Sequence, residues 1–366
     1  MSFRVTYATL STDDDALHEA YDEGIAIARS WLGEDHSSLV DGEHRAGIEG
    51  QEFEERSPID RDLVIGRFAC ASADDVADAV AAARAAAPAW AATPWQERVA
   101  IMHRAADQIS EHRSELSALM AMEVGKNRLE ALGDVEESAD LIRYYCHQME
   151  EHNGFTMPMG RLSEREITSD VMRPYGVWVV ISPFNFPMAL AAGPLGAALV
   201  AGNTAVLKPS EAGGFTGLMT VAAMHAAGVP TNVLHAVTGP GETVGAALVN
   251  DPRVDGLTFT GSYDVGMQIY RSFATEYPKP VICEMGGKNP VIVSAKADID
   301  AAAEGTLRSA FGLSGQKCSA ASRAYVDRSV FGAFVTALVE RTRAVVVGNP
   351  LDRGVYLGPV IDEAAV

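Results

Sequence analysis

The chain has 366 residues, 48% of them hydrophobic and 21% charged, and 49 acidic against 29 basic residues give it a formal charge of −20. That length holds two or three domains with sizeable cores, and the acidic excess repels phosphate backbones and argues against a nucleic-acid partner. The four cysteines, Cys70, Cys146, Cys283 and Cys318, make no CxxC pair and no Cys/His cluster of zinc-ligand spacing, so they read as free thiols and no metal is expected.

Residues 1–15 carry neither the basic stretch nor the apolar stretch of an export signal. Residues 13–31 predict an acidic amphipathic surface helix, and 38–68 predict short strands, notably around 51–53 and 63–65. Ser72 followed by Asp75 is an N-cap signal for an Ala-rich helix that should stop before Pro88. Thr93-Pro94 opens the next helix, a third ends at Gly125, and a fourth covers about 128–151. Residues 157–173 are polar and partly alternating, as in a hairpin. The longest apolar run, 188–201, is broken by Gly193-Pro194 and is too short to span a bilayer, so a soluble, cytoplasmic chain without a membrane partner is expected.

From 177 the pattern alternates. Strands are predicted at 177–181, 204–207, 233–237 and 257–259, and helices at 189–200, 213–227, 243–250 and 264–274. Such alternation makes an α/β fold with a mainly parallel sheet, whose ligands bind at the carboxyl ends of the strands. The chain stops at Gly358-Pro359-Val360-Ile361 and the few residues after it without a closing element, which reads as truncation.

Five segments carry chemistry. Ser182-Pro183-Phe184-Asn185-Phe186-Pro187 follows the first buried strand, and the Asn185 amide can donate to developing negative charge; taken alone it could equally satisfy its own loop. Lys208 and Glu211 stand three apart at the next strand end, suited to the two hydroxyls of a ribose, or to a capped helix start with a surface ion pair. Gly261-Ser262 with Gly266 makes a Gly-x-x-x-x-Gly loop that can bring phosphate to a helix N-terminus, a weak signal by itself. Glu284 precedes Gly286-Gly287 between two strands, 280–283 and 291–294, where a carboxylate could swing as a general base. Gly315-Gln316-Lys317-Cys318-Ser319 sets a cysteine in a polar segment that could open a helix, where the dipole and Lys317 would favour thiolate. Three of the six lysines (Lys208, Lys288, Lys317) fall inside these short motifs.

Together, PFNFP, LKPSE, FTGS, EMGGKNP and GQKC resemble, in order, the aldehyde dehydrogenase superfamily from about residue 40 to the end. GQKCSAASR and residues 130–145 are similar to its L-glutamate γ-semialdehyde (1-pyrroline-5-carboxylate) dehydrogenase branch. The resemblance implies an aldehyde dehydrogenase-like α/β fold. Its parts would be an N-terminal helical extension (1–37), a Rossmann-like NAD-binding domain (38–156 and 174–287), an oligomerisation hairpin (157–173) and an incomplete catalytic domain (288–366). It implies Cys318 as nucleophile, Asn185 as oxyanion donor and Glu284 as base. Lys208, Glu211, Ser182, Pro183, Phe184, Gly261, Ser262 and Gly286 would bind NAD. Glu137, Phe184, Lys317 and Ser319 would line the aldehyde pocket, in a homo-oligomer when full length. The family pattern continues past Val366, through a nicotinamide-ribose segment and a substrate-carboxylate loop. The alternatives are an enzyme for another semialdehyde or aliphatic aldehyde, and an inactive truncated nucleotide-binding form. An acyl-CoA-forming relative needs no water-activating base, so Glu284 argues against it.

Overall fold

The computed structural model describes residues 14–366; the expected helix start at Asp13 lies outside them. Helix α1 spans Asp15–Arg29, capped by Asp14. Five short strands follow: β1 Glu34–His36, β2 Ser38–Val40, β3 Glu43–Arg45, β4 Glu52–Arg56 and β5 Val64–Ala69. The segment before residue 38 is therefore not wholly helical, because β1 pairs in parallel with β5. Four helices come next, α2 Ala73–Ala92, α3 Trp95–Glu111, α4 Arg113–Val124 and α5 Arg128–Glu151, then the antiparallel hairpin of β6 Thr156–Pro158 and β7 Ser169–Val171.

The expected stop before Pro88 does not occur. Pro88 sits inside α2 on its exposed side, with Arg84, whose carbonyl loses its helical donor, also exposed. Solvent can satisfy that carbonyl, while the buried side carries Trp90 into the core, where its Nε1 donates to Leu199 O at 3.1 Å. Burial of a side chain that size outweighs one local hydrogen bond. The other local signals hold. Ser72 and Asp75 form a reciprocal capping box, Gly125 ends α4 at φ 78°, and Asn127 caps α5. At α3, Pro94 itself is the N-cap, and the Thr93 hydroxyl turns back to Ala89 O.

The remaining elements alternate: β8 Val177–Ile181, α6 Ala189–Ala201, β9 Thr204–Lys208, α7 Gly214–Ala226, β10 Leu234–Ala236, α8 Ala246–Asn250, β11 Gly256–Gly261, α9 Tyr263–Ser272 and β12 Val281–Met285. A π-helical turn, Gly241–Gly245, leads into α8. The main sheet has the order β12-β11-β8-β9-β10-β2-β3, with β12 to β10 parallel and β2 and β3 antiparallel at one edge. Its central strands β8, β9 and β10 are apolar on both faces because helices cover both. The side towards α3–α7 buries Val180, Ala205, Leu207 and Leu234, and the opposite side, towards α2, α8 and α9, buries Val177, Val179, Val206 and Leu257. Each such Val or Leu side chain contributes roughly 1.5–3 kcal/mol through burial.

A second α/β unit follows: β13 Asn289–Val293, α10 Ile299–Phe311, β14 Ala321–Val326 and α11 Phe331–Ala344, with β13 parallel to β14. Its small core gathers around Val293, Ala303 and Phe334. Ile292 and Tyr325 are exposed on its sheet, as is Ile282 on β12. No helix among the described residues is long and apolar enough to cross a membrane.

Candidate active site

The carboxyl ends of the parallel strands bring the five motifs together. At the end of β8, Ser182 N donates to Lys208 O at 3.1 Å, tying the first motif to the second. The Ser182 hydroxyl is buried without a partner, and so is Asn185 Oδ1. Asn185 Nδ2 donates to Gln316 O at 2.8 Å, two residues before Cys318. At the end of β9 the Lys208 side chain is 2% exposed. Its ammonium donates to Pro209 O at 2.9 Å and to Glu211 Oε2 at 3.2 Å. Glu211 Oε1 in turn accepts from Gly241 N at 2.9 Å, which joins β9 to the turn before α8. Burial pulls the Lys208 ammonium below its ordinary range, and Glu211 opposes that.

The third motif is partly a packing device. Ser262 caps α9 through Val265 N at 3.4 Å. A Cβ on Gly266 would lie 2.6 Å from Met285 Sδ, and one on Gly261 2.5 Å from the Phe259 ring. Gly266 therefore lets α9 approach β12, a packing role beside the one the Gly-x-x-x-x-Gly reading gave it. Glu284 also differs from expectation. Parallel pairing with β11 continues through Thr260↔Glu284 to Gly261↔Met285, so its backbone is fixed in β12 and movement is left to the side chain. It is exposed at the rim of a cleft of about 670 Å³ between α6 and the open face of β11 and β12. Gly286 has open space where a Cβ would be.

Cys318 does not open a helix. It lies in a turn closed by Ala320 N to Lys317 O at 3.1 Å, ahead of β14, so its own segment offers it no helix N-terminus. It is the one exposed thiol among the four cysteines; Cys70 and Cys146 are buried and Cys283 is intermediate. The approach is wound left-handed, with φ 48° at Leu313, 54° at Ser314 and 78° at Gly315, a conformation that costs energy at the two non-glycine residues. Outside groups hold it. Glu130 Oε2 accepts from Leu313 N at 3.2 Å and Oε1 from Lys317 Nζ at 2.8 Å. The Ser314 hydroxyl donates to Gly358 O at 2.9 Å, and Gln316 Oε1 accepts from Ile361 N at 3.0 Å. From the other side Asn289 Nδ2 donates to Cys318 O at 2.8 Å. Ser319 is exposed beside the cysteine.

A charged cluster that the motifs did not reveal backs this turn. Lys126 and Asp134, both with fully buried side chains, pair at 2.6 Å, and Asp134 Oδ1 accepts Ala189 N at the start of α6. The Lys126 ammonium stands 3.6 Å from the centroid of Phe186, and that of Lys317 5.8 Å from the same ring, the first close enough for a strong cation–π contact. The ring set between the lysines is thus Phe186; Phe184 packs its backbone under Gly213. Glu137 is half-buried on the same face of α5. Burial raises its carboxyl above the usual range, Asp134 adds to this, and Lys126 and Lys317 oppose it. Lys126 belongs to the small lysine set, so its place beside the motifs could have been suspected; Asn289 lies inside EMGGKNP and Glu130 and Asp134 inside 130–145, but no local pattern gave any of the three a task. Among the described residues no group of three or more His, Cys, Asp or Glu is placed to hold a metal ion.

Comparisons with known proteins give the family and the fold. Residues 45–366 match the model of the aldehyde dehydrogenase family. The chain is 38% identical to 1-pyrroline-5-carboxylate dehydrogenase of Anoxybacillus flavithermus, over 96% of this chain and 68% of that protein. It is likewise 38% identical to 1-pyrroline-5-carboxylate dehydrogenase 2 of Bacillus subtilis, over 95% and 68%. The chain thus spans about two thirds of the length of these relatives. Among solved structures, a Thermus 1-pyrroline-5-carboxylate dehydrogenase with bound NAD aligns at TM-score 0.89 and 31% identity, over 100% of this chain and 70% of that one. Proline utilization A of Bdellovibrio bacteriovorus, inactivated by N-propargylglycine, aligns at 0.92 and 35%, over 96% of this chain and 37% of that one. The chain belongs to the aldehyde dehydrogenase family.

Proposed function

We propose that the chain carries the chemistry of NAD⁺-dependent oxidation of an aldehyde to a carboxylate through a cysteine thioester, with L-glutamate γ-semialdehyde as substrate. The observation that carries this is the tether between Asn185 and the turn of the exposed Cys318, which sets a hydrogen-bond donor next to the nucleophile's own loop. The relatives named 1-pyrroline-5-carboxylate dehydrogenase favour the substrate.

The residues present fit a dinucleotide. The Ser182 hydroxyl is buried without a partner at the strand ends, and Lys208 with Glu211 can meet the two hydroxyls of an adenosine ribose. Pro183, Phe184, Gly261, Ser262 and Gly286 complete the rim in this reading. When bound, NAD⁺ supplies the hydride acceptor.

The protein's own groups do the rest. The Cys318 thiolate attacks the aldehyde carbon, and the Asn185 amide, released from Gln316 O, donates to the oxyanion with the Cys318 backbone N–H. After oxidation the acyl group is a thioester on Cys318. Glu284 takes a proton from water, the water oxygen attacks the acyl carbon, and the thiolate leaves. Glu137, Lys317, Ser319 and the neighbouring aromatics line the pocket, with a carboxylate available to the substrate's ammonium group.

Intact-mass analysis of protein quenched after mixing with NAD⁺ and the semialdehyde tests this. A glutamyl adduct on Cys318 is expected, absent in Cys318→Ser and accumulating in Glu284→Gln. No adduct on Cys318 overturns the mechanism, and an equal yield from propanal overturns the substrate.

A further inference from the structure

Strand β4 carries an acidic residue where an apolar one would be expected. Phe53 and Glu55 face inward while Glu54 turns out to Arg56 and Arg67. Phe53 stacks on Phe68 at 5.2 Å between centroids, and Glu55 is 5% exposed in the same layer. Directly above it lies the first turn of α7, since a Cβ on Gly214 would stand 3.4 Å from Glu55 Oε2. From α4 a second carboxylate, Glu123, 1% exposed, reaches the same turn. Glu123 Oε1 accepts from Phe215 N at 2.7 Å and Thr216 N at 3.1 Å, and Oε2 accepts from the Thr216 hydroxyl. Glu123 is thus the N-terminal cap of α7, supplied by another helix.

Neither carboxyl oxygen of Glu55 makes a well-formed hydrogen bond to a donor. Its neighbours are the Glu123 carboxyl and the backbone amides of Gly214 and Phe215, the second of which Glu123 already uses, and no cation offsets either acid. The other ionisable side chain packed on this layer is His36, whose ring lies 4.8 Å from Phe68 and 4.3 Å from Phe215 and which burial holds towards its neutral form. Two carboxyls enclosed together without a counterion hold at least one proton between them. With both Glu123 oxygens accepting from α7, Glu55 is the member free to carry it.

We propose that Glu55 holds a proton and donates it to Glu123, and that this acid–carboxylate unit positions the first turn of α7 and, through it, the loop that presents Glu211 to the nucleotide. The link is short: Gly213, just before α7, abuts Pro187 and Phe184, and Glu211 lies two residues earlier. The positioning role rests on the nucleotide site proposed above; the shared proton does not. Ionisation of Glu55 sets two enclosed charges against each other and loosens the turn, so nucleotide affinity should fall at alkaline pH.

Isotope-edited infrared spectroscopy and NAD⁺ titration calorimetry from about pH 6 to about pH 10 test this. At neutral pH the wild-type protein should show the carbonyl stretch of a protonated glutamic acid that Glu55→Gln lacks. NAD⁺ binding should weaken above the pair's titration by up to about tenfold per pH unit, the limit for one linked proton. Glu55→Gln, whose amide still donates to Glu123 and cannot ionise, should bind normally at neutral pH without the alkaline loss. Absence of the protonated band, or an unchanged pH profile in Glu55→Gln, overturns the proposal. Should NAD⁺ fail to bind at any pH, the nucleotide reading fails separately. Amide exchange in the first turn of α7, faster above the titration in wild type alone, then decides the fate of the shared proton, and equal rates in both proteins refute it.

Discussion

The Asn185 side-chain amide donates to the backbone carbonyl of Gln316 at 2.8 Å, across 131 residues of sequence. One amide thus has two tasks in the proposed chemistry: it holds the nucleophile's loop, and it is the donor for the negative charge that forms there. Replacing Asn185 with Ala should slow acylation of Cys318 by about 10²–10³-fold, the usual cost of one oxyanion donor. Alkylation of Cys318 by iodoacetamide should change far less, because access to the sulfur is kept. Comparison of the two rates in wild type and variant checks this.

Lys126 and Asp134 lie wholly out of solvent and rely on each other. Lys126→Met should destabilise the protein by about 3–5 kcal/mol, since it strands a buried carboxylate. Adding Asp134→Asn should recover part of that loss, because the amide oxygen can still accept Ala189 N. Urea denaturation of the two variants gives both numbers.

Arg128 joins three parts of the chain. Its guanidinium donates to Leu351 O at 2.7 Å, pairs with Asp22 of α1 at 2.5 Å, and stacks 4.9 Å from Tyr21. Asn127 beside it donates to Tyr356 O at 2.7 Å. Arg128→Met should cost about 1–3 kcal/mol and increase proteolytic nicking across 346–361. Arg128→Lys should restore little, since a single ammonium cannot reproduce the fork. Limited proteolysis followed by mass spectrometry reads the site of opening.

His235 in β10 is neutral in the fold: its Nδ1 accepts from Asp41 N at 3.0 Å and its Nε2 donates to Asn232 O at 3.2 Å. Burial pushes its pKa down from 6.5 to about 4. The unfolded chain therefore binds a proton that the folded one refuses, and stability should fall as pH drops from about 6.5 to about 4, by roughly 3 kcal/mol in total. In His235→Gln that part of the acid slope should vanish from thermal denaturation curves.

The parts of the site that were legible in the sequence are those whose chemistry sits within a few consecutive residues. Asn185 between two prolines, Lys208 with Glu211, and Glu284 beside paired glycines each advertise themselves locally, and the strand ends where they sit follow from β-α alternation. The parts that were not legible depend on distance. Phe186 and Lys126 are 60 positions apart, and Glu55 and Glu123 are 68 apart; only packing shows that they touch. Local rules failed where tertiary burial opposed them. Pro88 stays within its helix because Trp90 has a core to enter, and Cys318 precedes β14 in a turn where a helix start was expected.

Residues 313–315 wind against the sense of the helix before them. A reversed coil of that kind closes on itself only through Gln316, whose backbone and side-chain amides donate to Leu313 O at 3.0 and 3.1 Å, so its position is set by the fixtures at Glu130, Gly358 and Ile361. Redesign that aims to shift the sulfur by a fraction of an ångström should therefore leave the coil untouched and move its moorings. Shortening Glu130 by one methylene would reel the thiol towards α5 without altering a single residue of the segment that bears it.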